Sequence, residues 1–236
     1  MRRTLAIASI CLAAALGACG DDENDGNAQQ ETQATTQAAP ETTPTEPPTQ
    51  TEAGDCKQAE PPESGERTAK KPKGKLAAGK TYRLVVATNC GEFTIELDQK
   101  AAPKTAASLV ALAEAKFYDG TTFHRIVPGF VIQGGDPTGT GGGGPGYSTV
   151  DKPPADARYT RGVVAMAKTG QEAPGTAGSQ FFVVVGADAG LPPDYAVVGK
   201  VTDGMDVVEL IGQLGDPATE QPTQPVVMQS VKVEES

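Results

Sequence analysis

Eight short runs of strand-forming residues constrain the fold more than any other feature of the sequence. In one of them Phe93, Ile95 and Leu97 alternate with polar residues, which is the period of a half-buried strand. The eight runs lie at residues 82–86, 93–97, 121–127, 130–133, 162–167, 180–186, 195–201 and 226–234. The region after residue 80 is therefore expected to be mainly β.

Only two segments of this region have helical spacing. The first begins at Pro103, a residue favoured in the first turn of a helix, and is expected to stop at the Asp119-Gly120 turn; the second follows Asp203. The apolar positions that share one face are Ala106, Leu109, Val110 and Ala113 in the first helix, and Met205, Val208, Ile211 and Leu214 in the second. Two helices cannot cover an eight-stranded sheet, but they can cap the open ends of a barrel. We therefore predict a closed eight-stranded antiparallel barrel capped by two α-helices.

The first 18 residues are expected to be an export signal. Arg2 and Arg3 precede an apolar run of about a dozen residues, which is too short to span a bilayer comfortably and typical of a signal-peptide core. The run ends in Leu-Gly-Ala-Cys19, which resembles the bacterial lipoprotein signal; an ordinary secretory signal with an incidental cysteine is the alternative. We expect an extracytoplasmic protein that is anchored to the cell membrane by a lipid on Cys19.

Residues 19–80 are expected to be a disordered tether, and residues 81–236 a single folded domain. Every residue of the segment 29–52 is Gln, Glu, Thr, Ala or Pro, so no core can form there. The tether ends in a stretch, Arg67 to Lys80, with six basic residues and no acidic residue. A solvated linker is the favoured interpretation of this stretch, and attraction to anionic lipid or wall polymer is the alternative.

Two cysteines remain once the first 19 residues are set aside. They are Cys56 and Cys90, an even number in a compartment that is expected to be oxidising. We predict a disulfide between them, with two free thiols as the alternative. In the chain-entropy model this bond would contribute about 3–4 kcal/mol to stability.

The composition excludes several classes of function. Residues 81–236 contain 11 basic and 18 acidic residues, a balance that argues against a sequence-independent nucleic-acid binder. The chain has one histidine, so a metal site that needs two is impossible. No cofactor or metal is expected, and the domain is expected to be a monomer.

One block of sequence carries the chemical signal. Residues 123–136 read FHRIVPGFVIQGGD, and residues 178–182 read GSQFF. Together with Leu191 and Tyr195, in this order and spacing, they resemble the cyclophilin family of peptidyl-prolyl cis-trans isomerases. The resemblance runs from about residue 82 to the C-terminus and implies the same capped barrel that the periodicity predicts.

The resemblance also implies roles for individual residues. Arg125 would be catalytic. The residues that would bind a proline-containing peptide are Phe130, Val131, Gln133, Ala167, Lys168, Gln180, Phe182, Leu191 and Tyr195. Lys168 stands where the family often has Asn, and its backbone is expected to retain the contact with the peptide. The implied partners are proline-containing peptides and unfolded exported proteins.

Isomerisation explains why an arginine and an apolar pocket would occur together. Rotation about an X–Pro bond meets a barrier of about 18–20 kcal/mol, although no bond is made or broken. In the twisted amide the proline nitrogen recovers its lone pair, and an always-protonated guanidinium can donate a hydrogen bond to it.

Two other functions compete with isomerisation. The same pocket could bind proline peptides without catalysis or act as a chaperone module, but a binder has no need of the Arg125 guanidinium. A hydrolase that uses Ser179 with His124 is disfavoured, because no G-x-S-x-G turn precedes Ser179. His124 is expected to be structural, because isomerisation transfers no proton.

Overall fold

The computed structural model describes residues 55–60 and 62–236. The predicted export signal, the lipid attachment at Cys19 and most of the tether lie outside these residues. Within the described part, no helix is long and apolar enough to cross a bilayer.

The domain is built from short strands and two helices. The strands are β1 (Tyr82–Thr88), β2 (Gly91–Leu97), β3 (Thr121–Thr122), β4 (Arg125–Val127), β5 (Val131–Gly134), β6 (Thr149–Val150), β7 (Val163–Met166), β8 (Thr176–Ala177), β9 (Phe181–Val184), β10 (Val197–Asp203) and β11 (Val227–Glu235). The helices are α1 (Pro103–Glu114) and α2 (Met205–Gly212). A mainly β domain with two helices is therefore confirmed.

Nine of the strands form one curled antiparallel sheet in the order β3-β11-β1-β2-β10-β7-β9-β5-β4. β6 and β8 form a separate two-stranded ladder. In β1 and β2 alternate side chains are buried, as the period of the sequence indicates. The inner face of the large sheet carries the main core, in which Phe93, Phe123 and Ile95 are almost inaccessible to solvent.

The prediction of a closed eight-stranded barrel is wrong. The run at 121–127 divides into β3, which pairs with β11, and β4, which pairs with β5. Phe123 lies between the halves with its side chain buried in the core, and its N–H still bonds to Val226 on the β11 side. One run thus supplies both edges of the sheet. The described residues show no ladder between β3 and β4, so the sheet is a curled half-barrel.

The helices begin where the sequence predicts and end earlier. α1 stops at Glu114, before the predicted turn at Asp119-Gly120, and Lys116 follows with a φ of 56°. Gly204, with a φ of 72°, precedes α2, and Leu214 lies beyond the end of that helix. α1 packs against β1, β6 and β11, whereas α2 packs against β2, β4 and β5.

Within residues 55–60 and 62–80, several residues contact the folded domain although they precede the predicted boundary at residue 81. Cys56 forms the predicted disulfide with Cys90 in the turn between β1 and β2. Beside it, Lys57 N–H donates to Asn89 O at 2.8 Å, and Asn89 Nδ2 donates to Lys57 O at 2.8 Å. Ordered contacts with the domain therefore begin well before the first strand.

Candidate active site

The strand register brings the predicted site residues onto one face of the sheet. Arg125 on β4 lies opposite Gln133 on β5, and Gln133 lies opposite Phe182 on β9. Directly opposed residues of antiparallel strands project to the same face. The intervening row, which includes Ile126, Ile132 and Val183, belongs to the main core. Arg125, Gln133 and Phe182 therefore form a row on the outer face.

Arg125 is held along one edge of its guanidinium. Its Nε donates to Glu220 Oε2 at 2.7 Å, and its Nη1 lies 3.5 Å from Gln133 Oε1, at the limit of a hydrogen bond. The two charged side chains are 36% and 46% exposed, so this ion pair is not buried. Among the described residues, Nη2 has no hydrogen-bond partner. The guanidinium is thus oriented but still able to donate to a substrate.

The loop that carries Glu220 is itself ordered by hydrogen bonds to its backbone groups. Asp216 Oδ1 accepts from the N–H groups of Ala218 and Thr219, which lower the pKa of the Asp216 carboxyl. Ile126 N–H, next to Arg125, donates to Glu220 O at 2.8 Å. Backbone and side chain of Glu220 therefore both connect this loop to β4.

A second set of contacts joins Gln133 to the glycine-rich loop at residues 134–146. Gln133 Nε2 donates to Gln180 Oε1 at 3.1 Å, and Gln180 Nε2 donates to the carbonyl oxygens of Gly141 and Gly143 at 2.8 and 2.9 Å. The two amides consequently fix each other and leave Gln133 beside Arg125.

The Asp136 carboxylate holds the glycine-rich loop in place. It accepts from the N–H groups of Thr138, Gly141 and Gly143 at 2.6–3.1 Å. Burial by itself raises the pKa of Asp136, but these backbone N–H groups outweigh it and the pKa lies below its ordinary value. A Cβ on Gly143 would overlap Asp136 Oδ1, so any other residue there would displace this carboxylate.

The apolar part of the site is a small cluster separate from the main core. It contains Val131 and Phe182, both at least 96% buried, together with partly buried Phe130, Leu191 and Tyr195. The Phe182 and Tyr195 rings meet edge to face with centroids 5.6 Å apart. All five predicted apolar residues are therefore brought together.

Tyr159 supports this cluster, and the sequence reasoning missed it. Its ring is fully buried against Phe182 and Tyr195. Its hydroxyl donates to Tyr195 O at 2.8 Å and accepts from Tyr195 N–H at 3.0 Å. Tyr159 lies in a loop, where no periodic pattern of apolar residues indicates that it is buried.

The backbone at the end of β7 is open on one side. Ala167 N–H donates to Gln180 O at 2.9 Å. Ala167 O and Lys168 N–H have no hydrogen-bond partner within the described part of the chain. These two groups, rather than the whole of the Ala167-Lys168 backbone, can accept an extended peptide.

The Lys168 side chain folds away from solvent and is only 3% exposed. Its ammonium lies 2.7 Å from Asp194 Oδ2 and donates to Glu172 O at 3.1 Å. It also lies 5.5 Å from the centroid of the Tyr195 ring, in reach of a cation–π interaction. Lys168 therefore fixes the loop after β7 against the rim of the apolar cluster.

The geometry gives no support to a Ser–His hydrolase. Ser179 Oγ donates to Gly135 O at 2.7 Å and makes no bond to His124. The His124 nitrogens are buried and have no partner among the described residues. Desolvation lowers the pKa of His124 and outweighs the nearby Asp136 carboxylate. In the same residues, no group of three or more His, Cys, Asp or Glu is placed to hold a metal.

A groove of about 830 Å³ continues from these residues along the glycine-rich loop. Gln133, Ala167, Lys168 and Gln180 line it on the side of the site. An extended peptide seated on the apolar cluster could continue into this groove.

The chain matches known proteins over the region that contains this site. Residues 83–233 match the family model "Cyclophilin type peptidyl-prolyl cis-trans isomerase/CLD". The chain is 40% identical to peptidyl-prolyl cis-trans isomerase A of Mycobacterium tuberculosis, over 65% of this chain and 92% of that protein. It is also 40% identical to peptidyl-prolyl cis-trans isomerase B of Streptomyces anulatus, over 62% of this chain and 93% of that protein.

The fold is similar to that of a solved Cryptosporidium parvum cyclophilin-type isomerase. The TM-score is 0.60 at 31% identity, covering 65% of this chain and 98% of that one. A second structure of the same parasite protein, determined in the presence of the dipeptide Ala-Pro, has a TM-score of 0.59 at 30% identity and covers 64% of this chain and 98% of that one.

Proposed function

The chain belongs to the cyclophilin-type peptidyl-prolyl cis-trans isomerase family, and we propose that it isomerises X–Pro bonds in exported or cell-surface proteins. The observation that carries the mechanism is the row of Arg125, Gln133 and Phe182 on one face of the sheet. This row places a donor, an amide and an apolar surface side by side, as rotation of a prolyl amide requires.

Arg125 stabilises the twisted amide. As the C–N bond rotates, resonance is lost and the proline nitrogen becomes a hydrogen-bond acceptor. The Nη atoms of Arg125 donate to it while Glu220 keeps Nε occupied. A charge-assisted bond contributes about 1.5–3 kcal/mol, which corresponds to roughly ten- to 150-fold in rate.

The remaining stabilisation comes from fixing the proline while its neighbour moves. Phe130, Val131, Phe182 and Leu191 hold the ring, with Tyr195 at the rim. The Gln133 amide donates to a substrate carbonyl on one side. Ala167 O and Lys168 N–H pair with the extended peptide on the other. The carbonyl that precedes the proline is then the group that swings.

An extracytoplasmic location is supported by the sequence before residue 20 and by the cysteine pairing. We propose that residues 1–18 are removed as a signal, that Cys19 carries the lipid and that residues between it and the domain act as a tether. The Cys56–Cys90 disulfide supports this assignment, because structural disulfides persist in oxidising compartments. Unfolded exported chains are then the substrates within reach.

Cis/trans exchange of an Ala-Pro peptide, measured by NMR, tests the mechanism. Arg125→Ala should slow the catalysed exchange about ten- to 150-fold. Arg161→Ala is the matched control, because Arg161 forms a comparably exposed surface ion pair with Glu209. Exchange in wild type that equals exchange in buffer would leave only the non-catalytic binding role.

Fractionation of cells that express the full chain tests the location. The wild-type protein should enter the membrane fraction and incorporate labelled fatty acid, whereas Cys19→Ser should do neither. Recovery of both proteins in the soluble cytoplasm would contradict the proposed location without affecting the isomerase mechanism.

A further inference from the structure

The segment that precedes the family-matched region runs beside the active-site loop. We name residues 62–71 the strap. Gly65 N–H donates to Pro137 O at 3.0 Å, and Ala69 N–H donates to Pro145 O at 3.0 Å. These two bonds lie near opposite ends of the glycine-rich loop. The strap therefore brackets the loop that positions Gln180.

Side-chain contacts hold the strap in this position. Arg67 Nη1 donates to Phe117 O at 2.7 Å and to Asp119 O at 2.8 Å, after the end of α1. Lys71 Nζ donates to Ser148 O at 2.7 Å. The Cys56–Cys90 disulfide fixes the chain ahead of the strap. The strap is thus connected to the domain before, within and after the part that borders the loop.

The strap also forms part of the groove. Glu66, Arg67 and Thr68 line the groove together with Gln133 and Gln180. The strap precedes residue 83, where the family match begins, so this contribution to the groove comes from outside the matched region.

The charged side chains along the groove differ in whether other groups of the protein engage them. The Arg67 guanidinium is engaged by two carbonyl groups, and the Lys168 ammonium is neutralised by Asp194. Glu172 Oε2 accepts from the N–H and hydroxyl of Thr169 at 2.7 and 3.0 Å. Glu66 is exposed, and among the described residues no hydrogen bond or ion pair engages its carboxylate.

We propose that the strap is a wall of the peptide groove and that Glu66 makes the groove prefer substrates with Lys or Arg close to the prolyl bond. The inference rests on the isomerase activity and on a peptide that extends from the apolar cluster into the groove. An unengaged carboxylate at the wall attracts a cationic side chain and repels an anionic one, with a strength set by salt.

Peptides that differ in one charge test the preference. In a series based on Ala-Pro, Lys, Ala or Glu is placed at each of the two positions before the alanine. The measured quantity is the ratio of kcat/KM for the Lys peptide to that for the Glu peptide. Glu66→Gln should reduce this ratio about two- to five-fold at low salt, and Glu66→Lys should reduce it further. Added salt should lower the wild-type ratio toward that of Glu66→Gln.

Glu63→Gln is the matched control, because Glu63 is an exposed glutamate on the same strap that does not line the groove. It should leave the ratio unchanged. If wild type, Glu66→Gln and Glu66→Lys give the same ratio, the proposal is overturned. Turnover of the Ala peptide by these proteins would still support the isomerase activity in that case. Dissociation constants for the same peptides, measured by fluorescence anisotropy, give the preference independently of turnover, so a failure of catalysis and a failure of the preference are separate results.

Discussion

At the scale of single residues, one edge of the Arg125 guanidinium is held by a protein partner, and the other edge is open to a substrate. Glu220 supplies the held edge, although it lies 95 residues away in the sequence. The motif around Arg125 predicts the arginine but not this partner, because nothing in the local sequence specifies which distant loop returns to β4. The sequence likewise does not predict the roles of Asp136 and Tyr159, because both arise from contacts made by the fold.

Glu220→Ala should lower kcat/KM about two- to five-fold, because an exposed ion pair contributes up to about 1 kcal/mol and Arg125 loses its orientation. Glu220→Gln should restore most of the activity, because its amide oxygen can still accept from Nε. Both variants are compared with wild type by NMR exchange. Equal activity in wild type and Glu220→Ala would show that Glu220 does not position Arg125.

The single histidine gives the domain a defined pH dependence of stability. Desolvation places the pKa of His124 in the folded state below its ordinary value of 6.5, so the unfolded state binds the proton more readily. The contribution of neutral His124 to the free energy of unfolding is fully present above pH 6.5. It is lost as the pH falls from there through the folded-state pKa. Wild type should therefore lose more free energy of unfolding than His124→Asn between pH 7.5 and 5.5.

Urea unfolding at both pH values measures this difference. Parallel losses in wild type and His124→Asn would contradict a buried neutral histidine. The kcat/KM of wild type should not follow the His124 titration in the same range, because rotation of the amide transfers no proton.

At the scale of elements, the sequence predicts the segments that form the large sheet, but it predicts neither their pairing nor the division of one segment into two strands. The run at 121–127 is continuous in the sequence, whereas Phe123 turns into the core and its two halves pair with different neighbours. A pattern with a period of two residues shows which side chains of a strand share a face, but it does not specify which other strand pairs with it. The two-residue strands β6 and β8 are too short for any period to be visible.

The glycine-rich loop is an element whose order depends on one position. Gly143→Ala should lower the free energy of unfolding by about 1–3 kcal/mol, because its Cβ would overlap Asp136 Oδ1 and disturb the carboxylate that holds the loop. The activity should fall as well, since Gly143 O also holds Gln180.

Gly144→Ala is the matched control for stability. Nothing lies within 4 Å of a Cβ at Gly144, and its φ is not positive. Its effect on the free energy of unfolding should stay within about 0.5 kcal/mol. If both alanine variants unfold at the same urea concentration, the hydrogen bonds to the Asp136 carboxylate do not determine the order of the loop.

At the scale of the whole molecule, the disulfide and the strap extend the domain beyond the region matched by the family. The cysteine count predicts the pairing of Cys56 with Cys90, because only two cysteines remain after residue 19. It does not predict that the described residues between Cys56 and β1 lie on the domain, because the composition of that stretch resembles a linker. The contacts of Gly65, Arg67 and Ala69 are mostly with backbone groups, which leave no trace in side-chain patterns.

Loss of the disulfide should reveal whether the strap unfolds together with the sheet. The bond joins residues 34 apart, and closing such a loop is worth about 3–4 kcal/mol in the chain-entropy model if the whole loop orders only in the folded state. Reduced wild type and Cys56→Ala/Cys90→Ala should then unfold at a lower urea concentration than oxidised wild type. Reductant should not affect the double variant, which controls for direct effects of the reagent. Should oxidised and reduced wild type unfold together, the strap detaches before the sheet opens, and its order is local to the groove that it borders.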